Sequence, residues 1–176
     1  SLGGYVSLAF AEKFPEILES MTLFFSTTVA DDEEKKAIRR RSIAVIDENF
    51  ETFVKTSIPN LFSNNEKDIL EGKIELAKNI AKSTNKEGVK AAQLGMAERP
   101  DRTEILENLD AKILIIAGKY DNAVKTENLL KIIPEKTNIK TYVLDCGHNG
   151  HWEKPTICAE IINTELLHNL PKHFLL

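Results

Sequence analysis

Three residue types that together activate a hydroxyl for attack on a carbonyl stand far apart in this sequence: Ser1, Asp121 and His148. A serine hydroxyl is a poor nucleophile at neutral pH. It needs a base within hydrogen-bond reach, and the base needs a third group that holds it in the right tautomer. Each candidate lies in a short stretch that favours a sharp turn: Ser1-Leu2-Gly3-Gly4, Gly118-Lys119-Tyr120-Asp121 and Asp145-Cys146-Gly147-His148. Taken singly, each has a plainer reading. Ser1 serves as a helix cap, or as a terminal nucleophile working with its own α-amine. Asp121-Asn122 serves as a turn, and His148 is a satisfied loop histidine, with His151 its competitor for the role of base. His148-x-x-His151 beside Asp145 and Cys146 also suggests a metal site, but no second cluster completes a tetrahedron at a recognised spacing. Cys146, two residues from His148, reads as structural. His168 and His173 read as surface residues.

The elements that must position these residues alternate at both ends of the chain. The apolar runs Met21 to Phe25 and Ile113 to Ala117 predict strands buried on both faces, and Thr141 to Leu144 predicts a third. Helices are predicted from Tyr5 to Phe14, from Thr126 to Ile133 ahead of Pro134, and from Thr156 to His168. Strand and helix in alternation mean an α/β fold with a parallel sheet. Chemistry then gathers beyond the carboxyl ends of the strands, where Gly118 to Asp121 and Asp145 to His148 fall.

Between these ends the texture is helical and charged, from about Ala30 to Pro100. Asp31 to Lys36 followed by Arg39-Arg40-Arg41 puts acids on a first turn and bases on a last one, with Asp31/Lys35 and Asp32/Lys36 at i,i+4, which describes a solvated helix. Phe50, Phe53, Val54 and Ile58 predict an amphipathic helix that breaks near Pro59, and Ile69, Leu70, Ile74, Ala77, Ile80 and Ala81 predict another. Thr84 with Glu87 forms a capping-box signature for a helix through Leu94.

Composition narrows the field. The 176 residues carry 23 basic and 27 acidic side chains, a net charge of -4, so the overall field attracts neither nucleic acid nor anionic membranes. The longest apolar stretches are far too short to cross a bilayer. Two cysteines without a CxxC motif suit a reducing cytoplasm, which is the expected location.

In chain order, Ser, Asp and His follow the sequence of an α/β-hydrolase triad, and the segments around them resemble that family along essentially the whole chain. Ser1-Leu2-Gly3-Gly4-Tyr5 is similar to the second half of the nucleophile elbow, where a Cβ at Gly3 is expected to collide with neighbouring backbone. Met96 to Asp101 and then Ile113 to Asp121 resemble the stretch that leads to the acid-bearing loop. Gly147-His148 followed by Glu153-Lys154-Pro155 resembles the histidine loop and the start of the last helix.

The resemblance implies the carboxyl-terminal portion of an α/β-hydrolase parallel sheet with an inserted helical cap: residues 1–29 and 106–176 as an incomplete core, and residues 30–105 as the cap. It implies a serine hydrolase cleaving a carboxylic ester or related acyl substrate through an acyl-enzyme, without metal or organic cofactor. Ser1 is then the nucleophile, His148 the base and Asp121 its orienting acid; the backbone N–H of Leu2 is one oxyanion donor, and His151 and Trp152 lie at the pocket mouth. The serine argues against the dehalogenases and epoxide hydrolases of the fold, which use a carboxylate nucleophile. Lactonase, thioesterase, C–C hydrolase and haloperoxidase activities stay open, as does a non-catalytic binding module on the same scaffold. The strand at Met21 to Phe25 is expected to present an open apolar edge, covered by an upstream half of the same polypeptide or by a partner chain.

Overall fold

Three parallel strands, β1 (Ser20–Phe24), β2 (Lys112–Gly118) and β3 (Ile139–Leu144), form one sheet in the order β1-β2-β3 in the computed structural model, which describes residues 1–167. Met21 stands opposite Ile113, and Ile115 opposite Thr141. β2 is central, and Ile113, Leu114, Ile115 and Ile116 are all wholly buried. Their side chains alternate between the two faces. Ile113, Ile115 and Ala117 join Leu8, Ala11, Leu106 and Leu129 in one cluster, while Leu114 and Ile116 join Phe25, Cys146 and Cys158 in another. Burial of each such aliphatic side chain is worth on the order of 1.5–3 kcal/mol, so this row anchors the fold.

Helix α1 (Leu2–Lys13) lays Gly4, Tyr5, Leu8 and Ala11 against the sheet, a helical spacing. The spacing of β1 departs from expectation: Met21 and Leu23 are buried, but Thr22 and Phe24 are only half-buried. Met21 and Leu23 share the face packed against Leu8 and Ala11 of α1, while Thr22 and Phe24 point to the opposite, less completely covered face.

Between β1 and β2 lie α2 (Glu33–Glu48), α3 (Phe50–Ser57), α4 (Lys67–Lys82), α5 (Lys86–Glu98) and the short α6 (Glu104–Asn108), whose Ile105 and Leu106 already pack into the sheet core. α2 rests on α3 and α5, and α3 on α4. Side-chain carbonyl or carboxylate oxygens cap three of them, Asp32 to Lys35 N, Asn49 to Thr52 N and Asn85 to Gly88 N. The cap of α5 is therefore Asn85 and not Thr84, whose hydroxyl turns back to the Ile80 carbonyl. α2 runs on to Glu48, which leaves Arg39 to Arg41 in mid-helix, and Lys36 pairs with Glu33.

Nor is Asp31 part of a solvated face. Its side chain is fully buried, where Arg39 and Arg99 hold it, Arg99 at 2.9 Å, with Lys35 at 3.9 Å. Desolvation opposes its ionisation, but the hydrogen bonds and charges of the two arginines outweigh it and keep the carboxyl below its ordinary value. This cluster sits where the chain leaves and re-enters the sheet. There, Arg102 N donates to Thr28 O and Ala30 N to the Asp101 carboxylate, and Arg99 reaches Val29 O.

Beyond β2, α7 (Thr126–Leu130) is shorter than expected. Pro134 lacks an N–H, and in a helix continued that far its ring would collide with the carbonyl four residues back, at Leu130. The chain continues through β3, a single turn α8 (Gly150–Glu153) and α9 (Pro155–Ile162), after which residues Asn163–Leu167 widen into a π turn instead of extending the α-helix. His168 and His173 lie outside the described residues.

Candidate active site

Ser1 stands immediately before α1, yet its hydroxyl does not cap the helix. Its Oγ lies 3.0 Å from Nε2 of His148, 147 residues away in sequence. Nδ1 of the same ring lies 2.7 Å from Oδ2 of Asp121. A carboxylate only accepts, so Nδ1 carries a proton, and in the neutral ring Nε2 then presents a lone pair to the serine hydroxyl. The structure thus brings together the three residues singled out from sequence, in the order serine, histidine, aspartate.

Asp121 serves two purposes with two oxygens. Oδ1 accepts from Ala123 N and Val124 N at 2.7 and 2.8 Å, closing a turn after β2. Oδ2 is left for His148. Lys35, on the first turns of α2, donates to Ala123 O at 2.7 Å, so the helical segment is tied to this acid-bearing turn.

The two loops interlock through backbone. Tyr120 N donates to Cys146 O at 3.0 Å, and a Cβ on Gly118 would come within 2.7 Å of that same carbonyl. Only glycine fits there. At the elbow the close approach falls one residue later than expected: a Cβ on Gly3 meets no atom of the described residues within 4 Å, whereas on Gly4 it would lie 2.6 Å from the Ser26 Cβ. The helix is pressed against the end of β1 at Gly4, and Ser26 Oγ donates to Ser1 O at 3.0 Å.

Phe25 is a site residue that sequence reading missed. It follows β1 with φ 48, a left-handed conformation unusual for a bulky side chain. Its buried ring packs edge-on to His148, with centroids 6.4 Å apart, and fills the space beside Gly150. Positive φ leaves no mark in a phenylalanine's identity, so no sequence signal was there to find.

His151 is exposed, 5.9 Å from the ring of Phe24, while Oδ2 of Asp121 is paired with His148. Partial burial is the main cause that lowers the His151 pKa from the ordinary value. Trp152 packs against the cluster of Phe62, Leu70 and Ile74, joining the helical segment to the histidine loop. Burial, followed by the charge of Glu153, pushes the Cys146 thiol up to about 12, so it is a protonated core group and no nucleophile at neutral pH.

A parallel sheet with a Ser–His–Asp contact chain at its carboxyl edge and a helical excursion between two strands is the architecture of the α/β hydrolases. Solved structures of that fold superpose closely. A malate-bound thermophilic esterase from Thermogutta terrifontis matches with a TM-score of 0.84 and 32% identity over 96% of this chain and 62% of its own. The enol-lactonase from Burkholderia xenovorans gives 0.83 and 16% over 95% and 63%, and MenH from S. aureus 0.77 and 18% over 96% and 66%. The chain has the α/β-hydrolase fold and spans about 62% of the length of the esterase it matches. No protein-family model and no curated protein matches it. Among the described residues, no helix is long and apolar enough to cross a membrane.

Proposed function

We propose that this chain carries the catalytic residues of a serine hydrolase that cleaves a carboxylic ester or related acyl substrate. The observation that supports it most is the unbroken chain of two hydrogen bonds from Ser1 Oγ through His148 to Asp121. In this reading Nε2 of His148 takes the Ser1 proton as Oγ attacks the carbonyl carbon, and Asp121 stabilises the imidazolium that forms. The same proton then passes to the leaving alcohol, and a water activated by His148 releases the acid. Leu2 N–H, at the first helical position, has no intrahelical acceptor and is the oxyanion donor nearest the nucleophile.

The esterase name of the 32%-identical structure favours an ester over the other chemistries of the fold. Residues 30–105 act as a cap over the serine in this proposal, with exposed His151 at the pocket mouth and Trp152 holding the cap to the histidine loop. The open edge of β1 is covered by further polypeptide that supplies the second oxyanion donor. Both described cysteines are unbonded, in keeping with a cytoplasmic protein.

Labelling with a fluorophosphonate tests the reading. Covalent modification at Ser1, abolished by Ser1→Ala, is the expected result; a full-length protein that resists the reagent refutes it.

A further inference from the structure

Glu153 is a buried carboxylate that belongs to no ion pair among the described residues and that the acyl-transfer steps above do not use. Both its oxygens accept from Gly147 N at 3.0 Å, and Oε2 accepts from Ser63 N at 3.2 Å. Gly147 is the residue before His148, while Ser63 belongs to the helical segment between α3 and α4. A second link runs alongside, from Asn149 N to Leu61 O at 3.0 Å. The approach is so close that a Cβ on Gly147 would lie 2.5 Å from Ser63 N and 2.7 Å from the Phe62 carbonyl carbon. A carboxylate is costly to bury, and main-chain N–H donors converging on it are the compensation.

We propose that Glu153 is a positioning residue for the general base: it fastens the histidine loop to the segment Leu61 to Ser63, so that the helical insert helps to set the reach of His148 to Ser1. This rests on the reading of Ser1 and His148 given above. Without the carboxylate, Gly147 N–H and Ser63 N–H lose their shared acceptor. The loop keeps its backbone links at Asn149 and Tyr120, and the contacts of Trp152 and Lys154 with the insert lie beyond it, but nothing else among the described residues holds the residue next to His148 to Ser63.

The test uses the full-length protein, a fluorophosphonate as probe, and the NMR resonance of the His148 Nδ1 proton as the readout that a merely structural role leaves in place. Glu153→Ala is expected to slow Ser1 labelling about 10- to 100-fold, as a misplaced reacting group does, and to broaden or erase the Nδ1 signal while far-UV circular dichroism stays unchanged. Glu153→Gln, which keeps one oxygen able to accept from both N–H groups, recovers a large part of the rate. Ser63→Pro removes the donor on the insert side, together with the hydroxyl that accepts from Asn65 N, so Ser63→Ala, which loses the hydroxyl and keeps the N–H, is its control. Residue 63 has φ -60 and ψ 135 and Phe62 is extended at φ -102, ψ 154, conformations that proline and its predecessor adopt freely. The proline variant is expected to slow labelling in the same direction, and it decides the matter if Glu153→Ala does not fold.

Wild-type protein that labels at Ser1, with variants of unchanged rate and unchanged Nδ1 signal, overturns this proposal alone. Wild-type protein that does not label refutes the reading of the site and takes this inference with it.

Discussion

Gly4 and Ser26 touch so closely that a side chain on the first would overlap the second, with Cβ atoms 2.6 Å apart. The contact joins the helix that follows Ser1 to the end of β1, and Ser26 also holds the Ser1 carbonyl. Gly4→Ala must therefore push α1 away from the sheet. Overpacking of this kind costs about 1–3 kcal/mol, to be read as a lower denaturation midpoint with an unchanged slope, and Ser1 labelling falls with it.

His148 and His151 are separable by mutation. His148→Ala is expected to abolish Ser1 labelling, while His151→Ala, which leaves both hydrogen bonds of the His148 ring in place, changes the rate by only a few-fold. The reverse pattern would reject the assignment of the base. Asp121→Asn presents an amide in place of the acceptor that fixes the tautomer, and a loss of roughly 10⁴-fold in kcat is expected on an activated ester.

Asp31 binds two arginines with no exposure of its own side chain, at the point where the helical segment joins the sheet. Asp31→Asn leaves Arg39 and Arg99 without their counter-charge, at a cost of about 3–5 kcal/mol near pH 7. Because the folded carboxyl titrates below the unfolded one, its contribution is complete above the unfolded value of about 3.9 and fades as pH falls through the lower, folded value. Denaturant titrations at pH 7 and again below pH 4 are expected to show the gap between wild type and variant narrowing in acid.

Phe25 supports the His148 ring from a left-handed backbone position. Phe25→Ala opens a cavity beneath the imidazole and is expected to cost about 3–5 kcal/mol. Gly150→Ala attacks the same contact from the other side, since its new methyl enters the Phe25 ring. If both variants melt like the wild type, the ring is not packed as described.

Cys146 is fully buried, with its thiol held up to about 12 chiefly by desolvation, and Cys158 is nearly as inaccessible. Native protein at pH 8 is expected to leave both thiols unreacted with a disulfide reagent for hours, and denatured protein to release two equivalents from Cys146 and Cys158 at once.

The order of elements was legible in the sequence because it depends on local patterns. Continuous apolar runs marked β1 and β2, prolines marked where helices stop, and the three chemistry-bearing residues announced themselves by type and by place, Asp121 and His148 after strands and Ser1 before a helix. Local patterns were less reliable where two competed: Thr84 and Asn85 both suit a helix cap, and only the backbone path shows which one is used. What tertiary structure alone decided involves atoms distant in sequence. Whether His148 or His151 reaches Asp121, whether Asp31 faces solvent or two arginines, and whether Glu153 ends up between Gly147 and Ser63 all depend on how the helical segment folds back onto the sheet. A residue's identity fixes which bonds it is able to make; the packing of remote segments fixes which partner arrives, and so which of them it does make.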